Sequence, residues 1–242
     1  MADCDLDTAL HAAASALNLD VIKRLTAVVD RKMIAELLGR VNKSGKCPLH
    51  CAVGGALTLS PGSLRSERVR TCIEVMEHLV AKHTELGVSV DVEDVEGATP
   101  LYEAAKNGLE GVVKILIAGG ARPHSPVSCG DTPVTCAASD GNISMLRLLV
   151  DAGADVTHAH ARSKETPLHV AVLARKREED VVAVCKILLE AGADVNAMDA
   201  EERTPIAVAA DLRKHKLVWL QFWSLFLCCS ALNTMRGMNL LT

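Results

Sequence analysis

A short helix-start signal recurs six times along this chain in near register. Thr8-Ala-Leu-His11, Cys47-Pro-Leu-His50, Thr99-Pro-Leu-Tyr102, Thr132-Pro-Val-Thr135, Thr166-Pro-Leu-His169 and Thr204-Pro-Ile-Ala207 begin 39, 52, 33, 34 and 38 residues apart. A Thr before the turn can cap the first free N–H groups, and a Pro at the first helical position forfeits no bond. Thr99 to Ala121 is the most regular copy of the unit that each start opens. Leu101, Ala104 and Ala105 make one short apolar face, Gly108 breaks it, and Val112, Val113, Leu116 and Ile117 make a second stripe before the turn at Gly119 and Gly120. Neither helix is long enough to be stable alone, so each must bury its stripe against a similar neighbour.

The end signal recurs as well, as Gly120-Ala121, Gly153-Ala-Asp-Val156 and Gly192-Ala-Asp-Val-Asn196. A period near 33 residues with T-P-L-H and G-A-D-V-N motifs resembles the ankyrin repeat over about nine-tenths of the chain. The resemblance implies an all-α solenoid of about six repeats, each a helix-turn-helix, with β-hairpin fingers between them. The repeat domain then spans 1–216, with repeats starting near 8, 47, 99, 132, 166 and 204. Four stretches depart from the period. Arg31–Leu38 reads as an added helical turn, and Gly54–Ser66, rich in Gly, Ser and Pro, as an inserted loop. Gly87–Asp94 alternates apolar and acidic residues, which suits a finger, and Ala174–Asp180 is a small charged loop extension.

The chain is 49% hydrophobic but only 2% aromatic, and small aliphatic side chains suit close helix stacking. A net charge of −4 gives no bulk attraction for nucleic acid. Nine cysteines without a CxxC pair are not a disulfide framework, and the N-terminus has no basic and apolar leader. Reduced thiols in the cytoplasm or nucleus are expected. Cys47, His50 and Cys51 are zinc-ligand types without zinc-finger spacing, and His50 already has a place in the T-P-L-H motif. His158 and His160 lie in a finger and read as solvated. No nucleophile–base order, paired carboxylates or phosphate loop stands out, Lys43-Ser-Gly-Lys46 lacking the glycine spacing. The expectation is a monomeric, non-enzymatic protein without cofactor or metal.

Leu217–Leu232 breaks the pattern. It holds four of the five aromatic residues, Trp219, Phe222, Trp223 and Phe226, and is apolar all round. Three readings fit residues 217–242: a last helix packed over the end of the array, an alternative terminus, or a membrane anchor. Leu217 to Met235 is about the length that crosses a bilayer, with Lys214 and Lys216 on the cytoplasmic side.

The ankyrin resemblance implies a binding module that grips a protein or peptide with its concave side, built from fingers and first helices. By position, the candidate contacts are Asp91, Glu93, Asp94, Tyr102, Lys106, Asn107, Ser139 and Asp140, with Leu173 and Ala174 at the matching place in a later repeat. A narrower resemblance covers residues 1–145. Ile34-Ala-Glu-Leu-Leu38, Val95-Glu-Gly97 before Thr99-Pro-Leu-Tyr102, and Ser139-Asp-Gly141 are similar to motifs of the feminisation-family ankyrin proteins, although Tyr102 stands where that family has Trp and 54–66 is extra. That family supplies substrate receptors of a cullin ubiquitin ligase that read C-terminal arginine degrons. The resemblance implies Asp91 and Asp140 as arginine-binding acids and Tyr102 as an aromatic wall. Carboxylates holding a guanidinium bidentately make this chemically reasonable.

Overall fold

The computed structural model describes residues 8–57 and 63–212, which hold twelve α-helices and no strand. The chain divides into two compact units, the first within Met1–Pro133 with Asp151–Ala154, the second within Val134–Val150 with Asp155–Thr242. The first unit contains α1 (Ala9–Ser15), α2 (Leu19–Val28), α3 (Arg31–Gly39), α4 (Pro48–Leu57), α5 (Ser63–Leu86), α6 (Pro100–Lys106) and α7 (Glu110–Ala118). Here α4 packs on α1, α5 and α6, and α5 packs on α2, α3 and α7. Leu10, Ile22, Leu38, Leu49, Met76, Leu79, Leu101 and Leu116 fill the interior. The second unit contains α8 (Pro133–Asp140), α9 (Ile143–Asp151), α10 (Pro167–Leu173), α11 (Glu178–Glu190) and α12 (Pro205–Asp211), with α10 packed on α11 and α12.

Each of the six recurring signals starts a helix: α1, α4, α6, α8, α10 and α12. The local chemistry is the expected one, since Thr8, Thr99 and Thr204 accept the N–H of the residue three positions on. The T-P-L-H histidine adds a longer tie. Its Nδ1 accepts the backbone N–H three residues earlier, from Thr8 at 3.3 Å, Cys47 at 3.3 Å and Thr166 at 3.2 Å. The proton therefore sits on Nε2, which donates to a carbonyl of the next finger: His11 to Lys46 at 3.0 Å, His50 to Ala98 at 2.9 Å and His169 to Arg203 at 3.0 Å. Burial holds the His50 pKa below its ordinary value, against the opposing pull of the Ala98 bond.

The fingers differ from expectation: among the described residues they are turns, with no β-hairpin ladder. Each is closed by two backbone bonds, a wider one from Asn42 N–H to Lys46 O, Asp94 to Ala98, Val127 to Asp131, His160 to Glu165 and Asp199 to Arg203, and a tighter one to the same first residue's carbonyl from the N–H of Gly45, Gly97, Gly130, Lys164 and Glu202. Three pairs of neighbouring fingers are each joined by a single further bond, from Val95 N–H to Ser44 O, Ser128 to Glu96 and Ala200 to Ser163. Side chains complete the turns where a ladder would otherwise hold them. Asn42, Asp94 and Asp199 each accept the N–H groups two and four residues on.

The inserted loop is also shorter than 54–66. Helix α4 continues through Gly54–Leu57 and α5 already begins at Ser63, leaving 58–62 outside the described residues. The Gly54-Gly55 pair, which reads as a break, serves close packing. A Cβ at Gly55 would run into the Ser15 carbonyl oxygen of α1, and the Gly55 carbonyl accepts both Nε and a terminal nitrogen of Arg68 in α5. The charged extension 174–180 shrinks likewise, because Glu178, Glu179 and Asp180 form the first turn of α11, where acids favour the helix dipole. The apolar stretch 217–232 lies outside the described residues. Among those described, no helix is long and apolar enough to cross a membrane.

Candidate protein-interaction surface

The residues expected to touch a partner fall into both units and into three physical situations. Some are committed to the fold. The Asp91 side chain is 7% exposed and holds Arg122, taking its backbone N–H at 3.1 and 3.2 Å and its Nε at 3.1 Å. Asp94 is the carboxylate that closes its own finger, at 2.9 Å from both the Glu96 and Ala98 nitrogens. Tyr102 is buried in α6, with the Lys106 ammonium 5.8 Å from its ring centre. Tyr102 is thus a core residue under a cation, and no aromatic wall faces solvent there.

Others are exposed and unshaped. Glu93, Lys106 and Asn107 lie on the surface of the first unit, with the Asn107 amide donating to Glu103 O at 2.7 Å to close the end of α6. Beside them stands a link absent from the sequence expectation. Lys46 reaches Glu103 at 2.6 Å, joining the residue before one T-P-L-H signal to the first helix of the next repeat. Burial lowers the Lys46 pKa, but the Glu103 hydrogen bond and charge outweigh it, so the ammonium stands above its ordinary value.

Ser139 and Asp140 are in a third situation, because the second unit forms a groove around them. It encloses about 500 Å³ between the end of α8, helix α10 and the segment after it. Val170, Leu173 and Ala174 supply apolar surface, Asp140 and Glu165 carboxylates, and Arg175 and Lys176 cations. Leu173 is 38% exposed. The Lys176 ammonium lies 3.7 Å from Asp140, an open pair with both side chains well exposed. The Lys176 stem crosses Gly141, whose φ of +66° and lack of a Cβ admit it. Arg177 turns away and binds Asp180 through two bonds, at 2.9 and 3.2 Å. The cationic lip comes from the extension after Leu173. Its lengthening relative to the other inter-helix turns was the available sequence signal, but only the fold brings it back over Asp140.

The groove offers apolar, acidic and basic groups for binding. Among the described residues no three metal-ligating side chains converge. His160 Nδ1 accepts the Arg162 and Ser163 N–H groups and lies 3.1 Å from the Ser163 hydroxyl, which donates to Glu165 at 2.9 Å, so these three side chains tie the finger turn together. Cys72 is pushed up to about 12 by burial, and burial raises Cys47 too, which leaves both as unreactive core thiols.

A profile of ankyrin repeats in three copies matches residues 69–160 and 110–199, together more than half of the chain. The chain belongs to the ankyrin-repeat family. Ankyrin-repeat structures share its fold: an ankyrin repeat domain from Acinetobacter baumannii has a TM-score of 0.71 at 21% identity, covering 89% of this chain and 96% of that one. EF0377, an ankyrin repeat protein, gives 0.70 at 20% identity, covering 88% and 96%. Curated relatives include alpha-latrocrustotoxin-Lt1a of Latrodectus tredecimguttatus, 29% identical over 85% of this chain and 13% of its own length. The nuclear factor NF-kappa-B p105 subunit of Gallus gallus is 27% identical over 84% and 19%, and the human B-cell lymphoma 3 protein 30% over 71% and 34%. The chain thus spans at most about a third of these relatives. Its ankyrin repeats make it a protein–protein interaction module, and the family profile indicates no enzyme family.

Proposed function

We propose that this ankyrin-repeat chain is a non-catalytic adaptor that holds an extended segment of a partner protein in the groove of its second unit. The observation that carries the reading is the exposed Leu173 in a groove that is also lined by the carboxylates Asp140 and Glu165 and the cations Arg175 and Lys176. An apolar centre with a polar rim is how protein interfaces concentrate their energy. All six described cysteines are thiols, which supports residence in a reducing compartment, the cytoplasm or nucleus.

Within this reading, a C-terminal arginine degron is the ligand class that one observation favours. Asp140 is 59% exposed and its pair with Lys176 is long, so an incoming guanidinium can replace the ammonium at little cost. Asp91 gives no such opening, since Arg122 already occupies it.

The test is a peptide-display selection on the full chain, repeated with Leu173→Glu and Asp140→Ala. Enriched peptides that lose binding by roughly tenfold or more with Leu173→Glu support the groove. Enrichment untouched by that change removes it. Peptides that end in arginine and depend on Asp140 support the degron class, and indifference to the peptide C-terminus removes that class while leaving the groove standing.

A further inference from the structure

A second surface, on the α2–α3 face of the first unit, stands apart in composition. Of the eight large apolar side chains exposed among the described residues, four lie within one short stretch: Val21, Val28, Met33 and Val41. Val28 is 86% exposed and Met33 52%. The same stretch carries a net positive charge. From Leu19 to Val41 there are five Lys and Arg residues against three acids, a net of +2 in a chain whose net charge is −4.

Helix geometry separates this surface from the core. Ile22 and Thr26 face inward, where the Thr26 hydroxyl meets His78 of α5 at 2.9 Å. Val21, Arg24 and Val28, spaced three and four residues apart, share the opposite side. Asp30 caps α3 by accepting the Met33 N–H at 2.8 Å, which sets Met33 at the head of α3 just beyond the end of α2. Arg31 is committed to the Glu85 carbonyl at 2.9 Å. Lys23, Arg24, Lys32 and Arg40 make no ion pair among the described residues and are exposed. The end units of stacked repeats ordinarily keep a polar outer face. Here protruding Val and Met side chains stand among uncompensated cations, the composition of a contact surface.

We infer that this face is a second docking site, and that its occupant is an acidic amphipathic helix of a partner protein. The apolar stripe of such a helix covers Val21, Val28 and Met33, and its flanking carboxylates meet Arg24, Lys32 and Arg40. An anionic membrane offers the same charge, but Asp20, Asp30 and Glu36 are interleaved through the patch. A continuous anionic surface meets all three acids, whereas a discrete helix can place its carboxylates between them. This surface belongs to the first unit and the groove around Leu173 to the second.

Binding of a fluorescein-labelled synthetic helix of leucines flanked by glutamates, measured by anisotropy on the full chain, tests the inference. The lysine-for-glutamate peptide and phosphatidylserine vesicles serve as competing probes. The acidic helix binds, the affinity falls as salt rises, and Val28→Glu weakens it by roughly tenfold. The pair Arg24→Glu and Lys32→Glu does the same from exposed positions outside the core. Leu173→Glu leaves this binding in place, so failure of the groove reading is distinguishable. Absence of binding, equal binding of the lysine peptide, insensitivity to both sets of variants, or binding to vesicles in place of the peptide overturns it.

Discussion

Gly54→Ala and Gly55→Ala, neighbours on α4, should move stability in opposite directions. Both glycines sit inside a helix, where alanine is favoured by about 1 kcal/mol. A Cβ at Gly54 meets nothing within 4 Å, so that position collects the propensity gain, roughly 0.5–1 kcal/mol. At Gly55 the same methyl runs into the Ser15 carbonyl oxygen and lies 3.1 Å from Leu17 Cγ. The obstacle is the backbone of α1, which cannot swing aside like a side chain. Overpacking of this kind costs about 1–3 kcal/mol or more, and it also shifts the Gly55 carbonyl that Arg68 grips. The net expectation is a loss of about 1–2 kcal/mol at Gly55. For a domain of this size, Tm should drop by roughly 3–6 °C for Gly55→Ala and rise by roughly 2 °C for Gly54→Ala. Thermal and urea melts by circular dichroism at a helix wavelength read both. If the two variants shift in the same direction, the close approach of α1 and α4 does not explain why a Gly-Gly pair lies within a helix.

Three further expectations concern the site and its supports. Asp91→Ala should cost about 2 kcal/mol in urea melts, since it removes a buried carboxylate with charge-assisted bonds to Arg122, while Asp140→Ala should stay within about 0.5 kcal/mol; equal costs would contradict the division between structural and available acids. A double-mutant cycle on Lys46→Met and Glu103→Gln should give a coupling of about 1 kcal/mol, small because Lys46 keeps solvent access, and zero coupling would remove this link between repeats. Acid should destabilise the first unit. Burial lowers the folded-state pKa of His50, His78 and His83, so their neutral forms are favoured in the fold, and this stability is complete above the ordinary value of 6.5 and is lost as pH falls through the folded values. The buried His83 Nε2 has no hydrogen-bond partner for an added proton. The urea midpoint should therefore fall between about pH 6.5 and pH 5, and a flat profile there would refute the histidine account.

The helix starts, the ankyrin period and the added helix α3 were legible in the sequence because their causes are local. A Thr cap, a Pro at the first helical position, and an apolar stripe at helical spacing act over a few residues, and Asp30 ahead of α3 is a cap of the same kind. The course of 54–66 was not legible, because a glycine that breaks a helix and a glycine that lets two helices touch are the same residue. The touching partner, Ser15, lies 40 positions earlier. The fingers were misread for a related reason. Alternation in Gly87–Asp94 suggests a strand, but a ladder needs a partner of sufficient length, and that finger shares one backbone bond with the finger before it and one with the finger after it.

The binding residues divide on the same line. By sequence Asp91, Asp94 and Asp140 are three candidate contacts, of which the narrower resemblance singles out Asp91 and Asp140 alike. The tertiary structure gave Asp91 to Arg122, 31 residues away, and Asp94 to its own turn, and it left Asp140 at the edge of a groove. Arg175 and Lys176 joined that groove only because the chain after α10 folds back over Gly141. The sequence alone determined the repeating unit, since a repeat's helices and turns are set by short-range chemistry. Which surfaces remain free for a partner was decided by the fold, since a side chain is available only when no distant group has already claimed it.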